Sequence, residues 1–330
     1  MSVETQGPSI NPVFVLGIAR NGTTWLGNLL AGHNGITAAA HFLHHGIHES
    51  NILQNKYYWG DLEDVDAYIS FIHQYSSEDY FLLCQGNREH FLAHRQHDFY
   101  RFFLELMDQY AVRQAQKLWT TKLDPLFYID KKELNRFLKL IDERYGQPKF
   151  IAIKRNLTDY LKSYINMEGA ANQLRKKKSV RLFVLLLGVM RYVNSYRKIK
   201  WVVESRKGLF ITYEDLLKQK EGTLTRIADY LGIPGEAFEE IAYKPNTSFQ
   251  KARKSELNNM QLRLAKLLFF IFNVCPWAAS GFLKLYQRAK SKPAPLFHRL
   301  LKYRYYPEEL KLELEKKGSY QLLDRLNNTQ

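Results

Sequence analysis

Cysteine is scarce in this chain, which has only Cys84 and Cys275 among its 330 residues. The two show no metal-ligand pairing, so the sequence favours a reducing compartment and a fold without disulfide staples. The first twelve residues lack both a basic stretch and an apolar stretch, so we expect no secretory signal. A cytoplasmic location is the default expectation. Internal repeats, low-complexity tracts and linkers are also missing from the sequence.

Acidic residues are outnumbered by basic ones, 33 to 48, which gives a net charge of +15. The excess is concentrated from Lys244 to Gln330, where 17 Lys and Arg face 6 Asp and Glu. Such a surface can attract nucleic acid, anionic lipid or a polyanionic small ligand, or it can simply be solvated. Because no nucleic-acid-binding motif accompanies the charge, we expect no nucleic-acid partner.

Short apolar segments alternate with longer amphipathic ones, which indicates buried strands and helices of one α/β domain. The predicted strands are Val13–Leu16, Leu118–Thr121, Phe150–Ile153 and Leu209–Thr212. The predicted helices include Trp25–Ala31, Phe99–Gln116, Lys132–Glu143, Val180–Arg197 and Leu224–Leu231. We predict a three-layer fold with a central parallel sheet over residues 1–256. Residues 257–330 are predicted to form a helical, basic and apolar C-terminal extension of the same domain.

The segment Val13–Leu30 is the most informative part of the sequence. A strand should end near Gly17 and a helix should begin near Thr23, with a turn between them. This spacing is typical of a phosphate-binding loop, in which backbone N–H groups at a helix N-terminus point at an anion. A Walker A loop needs Lys immediately before its Ser or Thr, where this chain has Thr23, which disfavours hydrolysis of ATP. A strand–turn–helix corner without a ligand is the alternative interpretation.

Residues Ala19–Trp25 resemble the 5'-phosphosulfate loop of sulfotransferases that use 3'-phosphoadenosine-5'-phosphosulfate (PAPS). That loop usually reads Pro-Lys/Arg-Ser-Gly-Thr-Thr, and the Arg of this chain is typical of the bacterial and tyrosylprotein branches. The departures are Ala for Pro and Asn for Ser. The resemblance implies a P-loop-like fold and a set of donor-binding residues, namely Arg20, Asn21, Gly22, Thr23, Thr24 and Trp25.

A second segment, Phe150–Ser163, is predicted to be a strand that leads into a helix. Arg155 and Ser163 are eight residues apart, so two donors could hold a second phosphate, as in the 3'-phosphate motif of the same family. Two more segments resemble the family's adenine contacts and imply roles for Tyr213, Thr247 and Phe249. We do not find the family's terminal Arg-Lys-Gly loop, for which the basic residues Lys251, Arg253 and Lys254 are candidate substitutes.

Sulfuryl transfer requires that the leaving oxygens be neutralised and that the acceptor lose its proton. The resemblance assigns the first task to Arg20 and to Lys122, which matches the Lys of a Lys-Asp-Pro segment in the tyrosylprotein branch. A solvated lysine at the end of a strand is the alternative for Lys122. Alignment with the tyrosylprotein and bacterial branches places His41 where those enzymes have a Glu base. Asp124 is the second choice as base and His44 the third.

The resemblance implies PAPS as the co-substrate, PAP as the product and no metal. His44 and His48 could share a helix face and bind zinc, but a third ligand at recognised spacing is missing. The acceptor is a hydroxyl or amine of a small molecule, lipid or glycoconjugate, with its pocket expected in variable loops around Phe42–Tyr110 and Gly169–Lys178. Two other functions stay open, namely a Mg²⁺- and ATP-dependent small-molecule kinase and a non-enzymatic membrane-surface protein.

The segment Leu267–Leu283 is almost wholly apolar and is interrupted by Pro276. It is shorter than the ~20 residues that a spanning helix needs, so a single span is not expected. One interpretation is a pair of core helices that meet at the proline. The other is a monotopic patch that contacts an anionic membrane and a lipophilic acceptor, with flanking cations Arg263, Lys266, Lys284, Arg288, Lys290 and Lys292.

Overall fold

The computed structural model describes residues 10–41, 46–47, 50–171, 178–235, 238 and 257–290. It describes no side chains at 41, 46, 166–171, 178–181 and 284–290. The chain divides into two compact units, Met1–Gly281 and Phe282–Gln330. The sheet and the helices up to residue 281 belong to the first unit. The domain boundary after residue 256 stays a prediction.

Five parallel strands form the central sheet, as the alternating pattern predicts. The strands in chain order are β1 (Asn11–Leu16), β2 (Ile36–Ala38), β3 (Ala40–His41), β4 (Gly46–Ile47), β5 (Leu118–Lys122), β6 (Lys149–Lys154) and β7 (Leu209–Thr212). The sheet order is β2-β5-β1-β6-β7, while β3 and β4 pair separately and antiparallel. All four predicted strands are present, and β1 at the centre is fully buried from Val13 to Leu16, as is typical of a parallel sheet.

Thirteen helices and one 3-10 turn surround the sheet in the described part of the chain. They are α1 (Thr23–Ala31), α2 (Ile52–Trp59), α3 (Val65–Tyr75), α4 (Asp79–Leu83), α5 (Arg88–Ala93), α6 (Phe99–Arg113), the 3-10 turn (Pro125–Tyr128), α7 (Lys131–Tyr145), α8 (Leu157–Ala171), α9 (Lys178–Ser205), α10 (Tyr213–Lys218), α11 (Lys220–Leu231), α12 (Asn259–Val274) and α13 (Pro276–Lys290). The five predicted helices are present. The region 52–93, where we expected acceptor loops, instead holds the four helices α2 to α5.

Alternation along β1 explains the three layers. Val13 and Val15 belong to an apolar core with residues of α1, α10 and α11. Phe14 points the other way and meets Trp119 of β5 and Phe137 of α7, with ring centroids 5.5 and 5.6 Å apart. Because successive side chains of a strand face opposite sides, one buried strand holds both helical layers. The predicted three-layer α/β fold is therefore confirmed.

The predicted C-terminal extension begins with α12, which packs along α9, and Tyr192 of α9 lies 6.1 Å from the ring of Phe269. Helix α12 ends at Val274 and α13 begins at Pro276, so the predicted helix break at the proline is present. Within the described residues, no one helix has both the length and the apolar character to cross a membrane. The pair Asn259–Val274 and Pro276–Leu283 meets those criteria of length and composition only together, and it is bent by 101°.

Candidate phosphate-binding site

The loop between β1 and α1 is built around two residues with left-handed backbone conformation. Arg20 has φ 76° and Gly22 has φ 94°. Gly22 is also the N-cap of α1, so this position has no side chain that could cap the helix. A Cβ atom at Gly22 would lie 2.6 Å from Cδ2 of Tyr213, so a close approach of the aromatic ring requires glycine here. The first-turn amides of α1 are therefore suited to bind an anion, as helix N-termini do.

Arg20 connects the first loop to the second predicted motif. Its Nε donates a hydrogen bond of 2.9 Å to Oγ of Ser163 in α8. Nη1 of Arg155 lies 3.4 Å from the carbonyl oxygen of Arg20 and donates to it. Burial, and secondarily the positive charge of Arg155, lower the pKa of Arg20. Two arginines held this close favour an anion between or beside them, because it would offset their mutual repulsion.

Two aromatic rings, those of Trp25 and Tyr213, lie beside the loop. The guanidinium of Arg155 lies 4.6 Å from the ring centre of Tyr213, and the ring of Trp25 meets Tyr213 edge-on at 5.5 Å. Tyr213 is the first residue of α10, directly after β7, so the sheet places it beside Gly22. Three residues that the sequence assigned to different donor contacts are thus neighbours in space.

The end of β5 supplies the third cation of the site. Lys122 is only 7% exposed, and its Nζ lies 3.5 Å from Oγ1 of Thr24 in α1. We call Arg20, Lys122 and Arg155 the cationic cluster. A small pocket of about 20 Å³ lies between the β1 loop and the segment 122–125, with Asn51 on its wall. A solvated strand-end lysine does not describe Lys122, which is buried beside the first turn of α1.

Asp124 lies on the wall of the same pocket and also caps the 3-10 turn. Its Oδ1 accepts a hydrogen bond of 2.9 Å from the amide of Leu126, and its Oδ2 accepts one of 3.4 Å from the amide of Gln54. Hydrogen bonds to the ionised carboxylate favour its charged form and fix its orientation. The side chain therefore has a structural role that the sequence interpretation did not include.

Three buried tyrosines that no motif predicted hold the loop in place. Tyr196 of α9 accepts a 2.6 Å hydrogen bond from Nδ2 of Asn21 and lies 3.0 Å from the carbonyl oxygen of Ile153, to which it donates. Tyr128 accepts from the amide of Gly17 at 3.2 Å. Tyr192 donates to the carbonyl oxygen of Arg155 at 2.7 Å. Burial raises the pKa of all three phenols, so each keeps the proton that these bonds need.

Asn21 is placed differently from what a phosphate ligand would suggest. The whole residue is buried, and Nδ2 of its side chain is turned towards Tyr196. Its Oδ1 is buried without a hydrogen-bond partner among the residues that the structure describes. The side chain of Asn21 therefore anchors the loop to α9. The only sequence signal for this anchor was the spacing of Tyr192 and Tyr196, which are four residues apart on one helix.

Several predicted site residues cannot be placed. His41 ends β3 and pairs with Gly46, but its side chain lies outside the described atoms. Thr247, Phe249 and the basic residues at 251, 253 and 254 lie outside the described residues, as do His44 and His48. The adenine contacts of the 246–249 segment, the choice of His41 as base and the zinc alternative therefore stay predictions.

The fold and the site together define a class of protein. A three-layer α/β domain carries a P-loop-like turn after its central strand, and three cations surround the first turn of the following helix. Comparison with known sequences narrows the class, because the profile of the sulfotransferase family matches residues 12–238. The chain belongs to the sulfotransferase family.

One curated relative and three solved structures illustrate the similarity. Sulfotransferase 2A1 of Rattus norvegicus is 29% identical over 129 residues, which are 38% of this chain and 45% of the rat protein, so the match spans less than half of that relative. The sulfotransferase domain of the Synechococcus PCC 7002 olefin synthase is 20% identical, with a TM-score of 0.45 over 79% of this chain and 96% of that one. The domain from the curacin biosynthetic pathway gives 16% and 0.45 over 76% and 80%. Mouse sulfotransferase SULT7A1, complexed with PAP, gives 14% and 0.41 over 86% and 90%.

Proposed function

We propose that the protein transfers a sulfuryl group from PAPS to a hydroxyl or amine of an acceptor. The observation that carries the proposal is the position of the cationic cluster at the N-terminus of α1, where the N-cap residue is a glycine without a capping side chain. A helix N-terminus and buried cations both favour a multiply charged anion. The P-loop-like turn without a Walker lysine favours a phosphosulfate over a nucleoside triphosphate with Mg²⁺.

The proposed donor has two anionic ends, and the site offers two groups of donors for them. The loop amides, Arg20 and Lys122 suit the 5'-phosphosulfate. Arg155 and Ser163 suit the 3'-phosphate, as the family resemblance implies. The hydrogen bond between Arg20 and Ser163 supports this division, because it keeps both groups within one continuous polar surface. Trp25 and Tyr213 offer aromatic faces for the adenine.

The transfer itself breaks the bond between sulfur and the phosphate oxygen of PAPS and forms a bond between sulfur and the acceptor atom. The leaving oxygens of PAP gain negative charge, which the buried cations Arg20 and Lys122 would neutralise. The acceptor proton passes to a base, for which His41 is the first candidate and Asp124 the second. The proposal assigns these tasks to protein groups and does not invoke a metal.

The acceptor approaches from the pocket beside Lys122 in this proposal. The pocket is lined by Ala19 of the loop and by Leu123 and Pro125 after β5. Its volume of about 20 Å³ has room only for the reacting hydroxyl or amine near Lys122, so the rest of the acceptor would lie outside it. We propose a location on the cytoplasmic side for the reaction, where the sequence places the protein by default.

The donor can be tested without knowing the acceptor. PAP should raise the midpoint of thermal unfolding in the absence of Mg²⁺, because a ligand that binds the folded state stabilises it. ADP, which lacks the 3'-phosphate, should raise it less. Arg155→Ala should weaken PAP binding by about 1.5–3 kcal/mol, the range for hydrogen bonds to charged groups. Arg226→Ala, on the exposed surface of α11, is the matched control and should leave the affinity unchanged.

A kinase would behave in the opposite way. If ATP with Mg²⁺ stabilises the protein and PAP does not, the donor proposal is wrong and the kinase interpretation replaces it. If PAP binds, a panel of hydroxyl and amine acceptors incubated with sulfur-labelled PAPS identifies the acceptor class. Failure of every acceptor with intact PAP binding would contradict transfer while leaving the donor site intact.

A further inference from the structure

Helix α12 and the bend after it expose an unusual number of large apolar side chains. Exposed fractions reach 67% at Phe270, 64% at Val274 and 75% at Trp277. Globular proteins rarely leave large contiguous apolar surfaces in water unless these bind something. We define the apolar face as Met260, Leu267, Phe270, Ile271, Val274 and Trp277, all of them exposed.

The apolar face is one side of a helix whose other side is already used. Leu267, Ile271 and Val274 follow the spacing of four and three residues that aligns side chains on one helix surface. Ala265 and Phe272 on the opposite side are buried, and Phe269 lies against Tyr192 of α9. The inward side thus accounts for the attachment of α12 to the domain, and the outward apolar residues are surplus to it.

Charge in the sequence around the apolar face has only one sign. Arg263 and Lys266 are exposed on the first turns of the same helix. From Leu257 to Pro307 the sequence contains nine Lys or Arg and no Asp or Glu. A protein partner would be met by mixed charges in most interfaces, whereas a bilayer with anionic headgroups complements an apolar surface with cations alone at its margin.

The bend after α12 carries exposed apolar residues. The axis turns by 101° between Asn259–Val274 and Pro276–Leu283, so Val274 and Trp277, which are 64% and 75% exposed, lie beside the corner. An exposed tryptophan is typical of groups that sit at the headgroup level of a membrane. A corner of this kind can enter the interface without crossing the bilayer.

We propose that the apolar face, with Arg263 and Lys266, binds the surface of an anionic lipid bilayer. The contact is peripheral: the apolar side chains enter the boundary between headgroups and acyl chains, and the two cations stay among the headgroups. The apolar face shares no residue with the cationic cluster, and this inference does not depend on the identity of the sulfuryl donor. It would hold if the transfer proposal failed.

Sedimentation of the full-length protein with vesicles tests the proposal. We expect binding to phosphatidylcholine mixed with phosphatidylserine, weaker binding to phosphatidylcholine alone, and loss of the difference at high salt. Removing both cations, with Arg263→Gln and Lys266→Gln, should weaken binding about fivefold for each cation. Leu267→Ser should weaken it about tenfold on both vesicles, because less apolar surface enters the interface.

Two matched variants control for general surface changes. Leu217→Ser alters a leucine that is 58% exposed on α10, against 56% for Leu267. Lys131→Gln combined with Lys139→Gln removes two exposed cations from α7. Both controls should bind vesicles as the parent protein does. Equal losses in the controls and in the α12 variants would mean that binding is non-specific and that the proposal is wrong.

Light scattering in the absence of lipid separates the other occupants. If the parent protein fails to sediment with either vesicle and Leu267→Ser converts a dimer into a monomer, a second copy covers the face and the proposal is overturned. If the parent protein fails to sediment and Leu267→Ser instead lowers thermal stability at every protein concentration, the chain covers the face itself. That result overturns the proposal equally.

Discussion

The β1 loop and helix α12 are held to the rest of the domain by different kinds of contact. In the loop, polar groups are fixed by buried partners from distant parts of the sequence, such as Tyr196 for the buried Asn21 and Ser163 for Arg20. In α12, the buried side makes ordinary apolar contacts with α9 and the outside holds large apolar groups in water. Polar contacts therefore hold the loop rigidly, whereas apolar contacts attach α12 to the domain.

The difference indicates two kinds of ligand. Hydrogen bonds fix the positions of the cations around the loop, and fixed cations favour an anion of matching shape, so the loop suits a small, precisely held ligand. An exposed apolar stripe needs no fixed geometry, so α12 suits an extended and fluid surface. Changes near the loop should therefore affect chemistry and folding strongly, while changes on the outside of α12 should affect neither.

The largest expected effect is that of replacing His41, the first candidate for the base. His41→Ala should lower turnover about 10²–10⁴-fold, the usual contribution of a general base, and should leave PAP affinity nearly intact. Asp124→Asn should keep turnover within a few fold, because asparagine also caps helical turns and preserves the bond to the Leu126 amide. Both are measured as turnover with saturating PAPS. Normal turnover in His41→Ala together with loss in Asp124→Asn would move the base to Asp124.

A slightly smaller effect is expected at Lys122. Lys122→Ala should lower turnover about 10²–10³-fold, as when one group that stabilises developing charge is removed. Acceptor KM should change little, because the interaction strengthens only as the leaving oxygens gain charge. Lys117→Ala, at an exposed residue just before the start of β5, is the control and should stay within a few fold. A rise in KM with constant turnover would contradict the assignment and make Lys122 an acceptor-binding residue.

The turn at Gly22 should respond in stability. Gly22→Ala combines a left-handed backbone, about 1–2 kcal/mol, with a clash against the Tyr213 ring, about 1–3 kcal/mol, so a loss of about 2–5 kcal/mol is expected. Gly232→Ala shares the positive φ, +70°, but meets no atom within 4 Å and should lose only the backbone part. Urea unfolding of the two variants measures the difference. Equal losses would show that Tyr213 can move away, and that the loop is less rigid than the comparison with α12 implies.

Local sequence patterns were sufficient to predict four of the five strands of the sheet and to single out the motifs that carry Arg20, Ser163 and Tyr213. Continuous apolar runs predicted β1 and β5 to β7, but β2 is only three residues long and gave no signal of its own. Arg20, Ser163 and Tyr213 were found because they belong to short motifs, and the sheet brings those motifs together. Tyr128 and Tyr196 belong to no motif, and their contact with the loop depends on packing across more than 100 residues.

The face that α12 exposes was beyond the reach of sequence patterns for a different reason. Residues 267–272 are apolar on every side of the helix, so periodicity cannot distinguish the buried side from the exposed one. Only the position of α9 decides that Phe272 is inside and Ile271 outside. Both sequence interpretations of this segment were therefore incomplete, because α12 is a core helix on one side and an exposed apolar surface on the other.

The smallest expected effect is on the outside of α12 and would break the comparison if it proved large. Leu267→Ser should change the free energy of unfolding by no more than about 0.5 kcal/mol, because a side chain that is already in water loses little when shortened. Phe272→Ala, on the buried side of the same helix, should cost about 3–5 kcal/mol and shows that the assay detects α12 at all. Urea unfolding at two protein concentrations provides the measurement, because self-association makes stability depend on concentration. A large loss in Leu267→Ser would mean that the outward leucine is packed in solution, and then α12 and the β1 loop would both be enclosed by protein instead of offering two different surfaces.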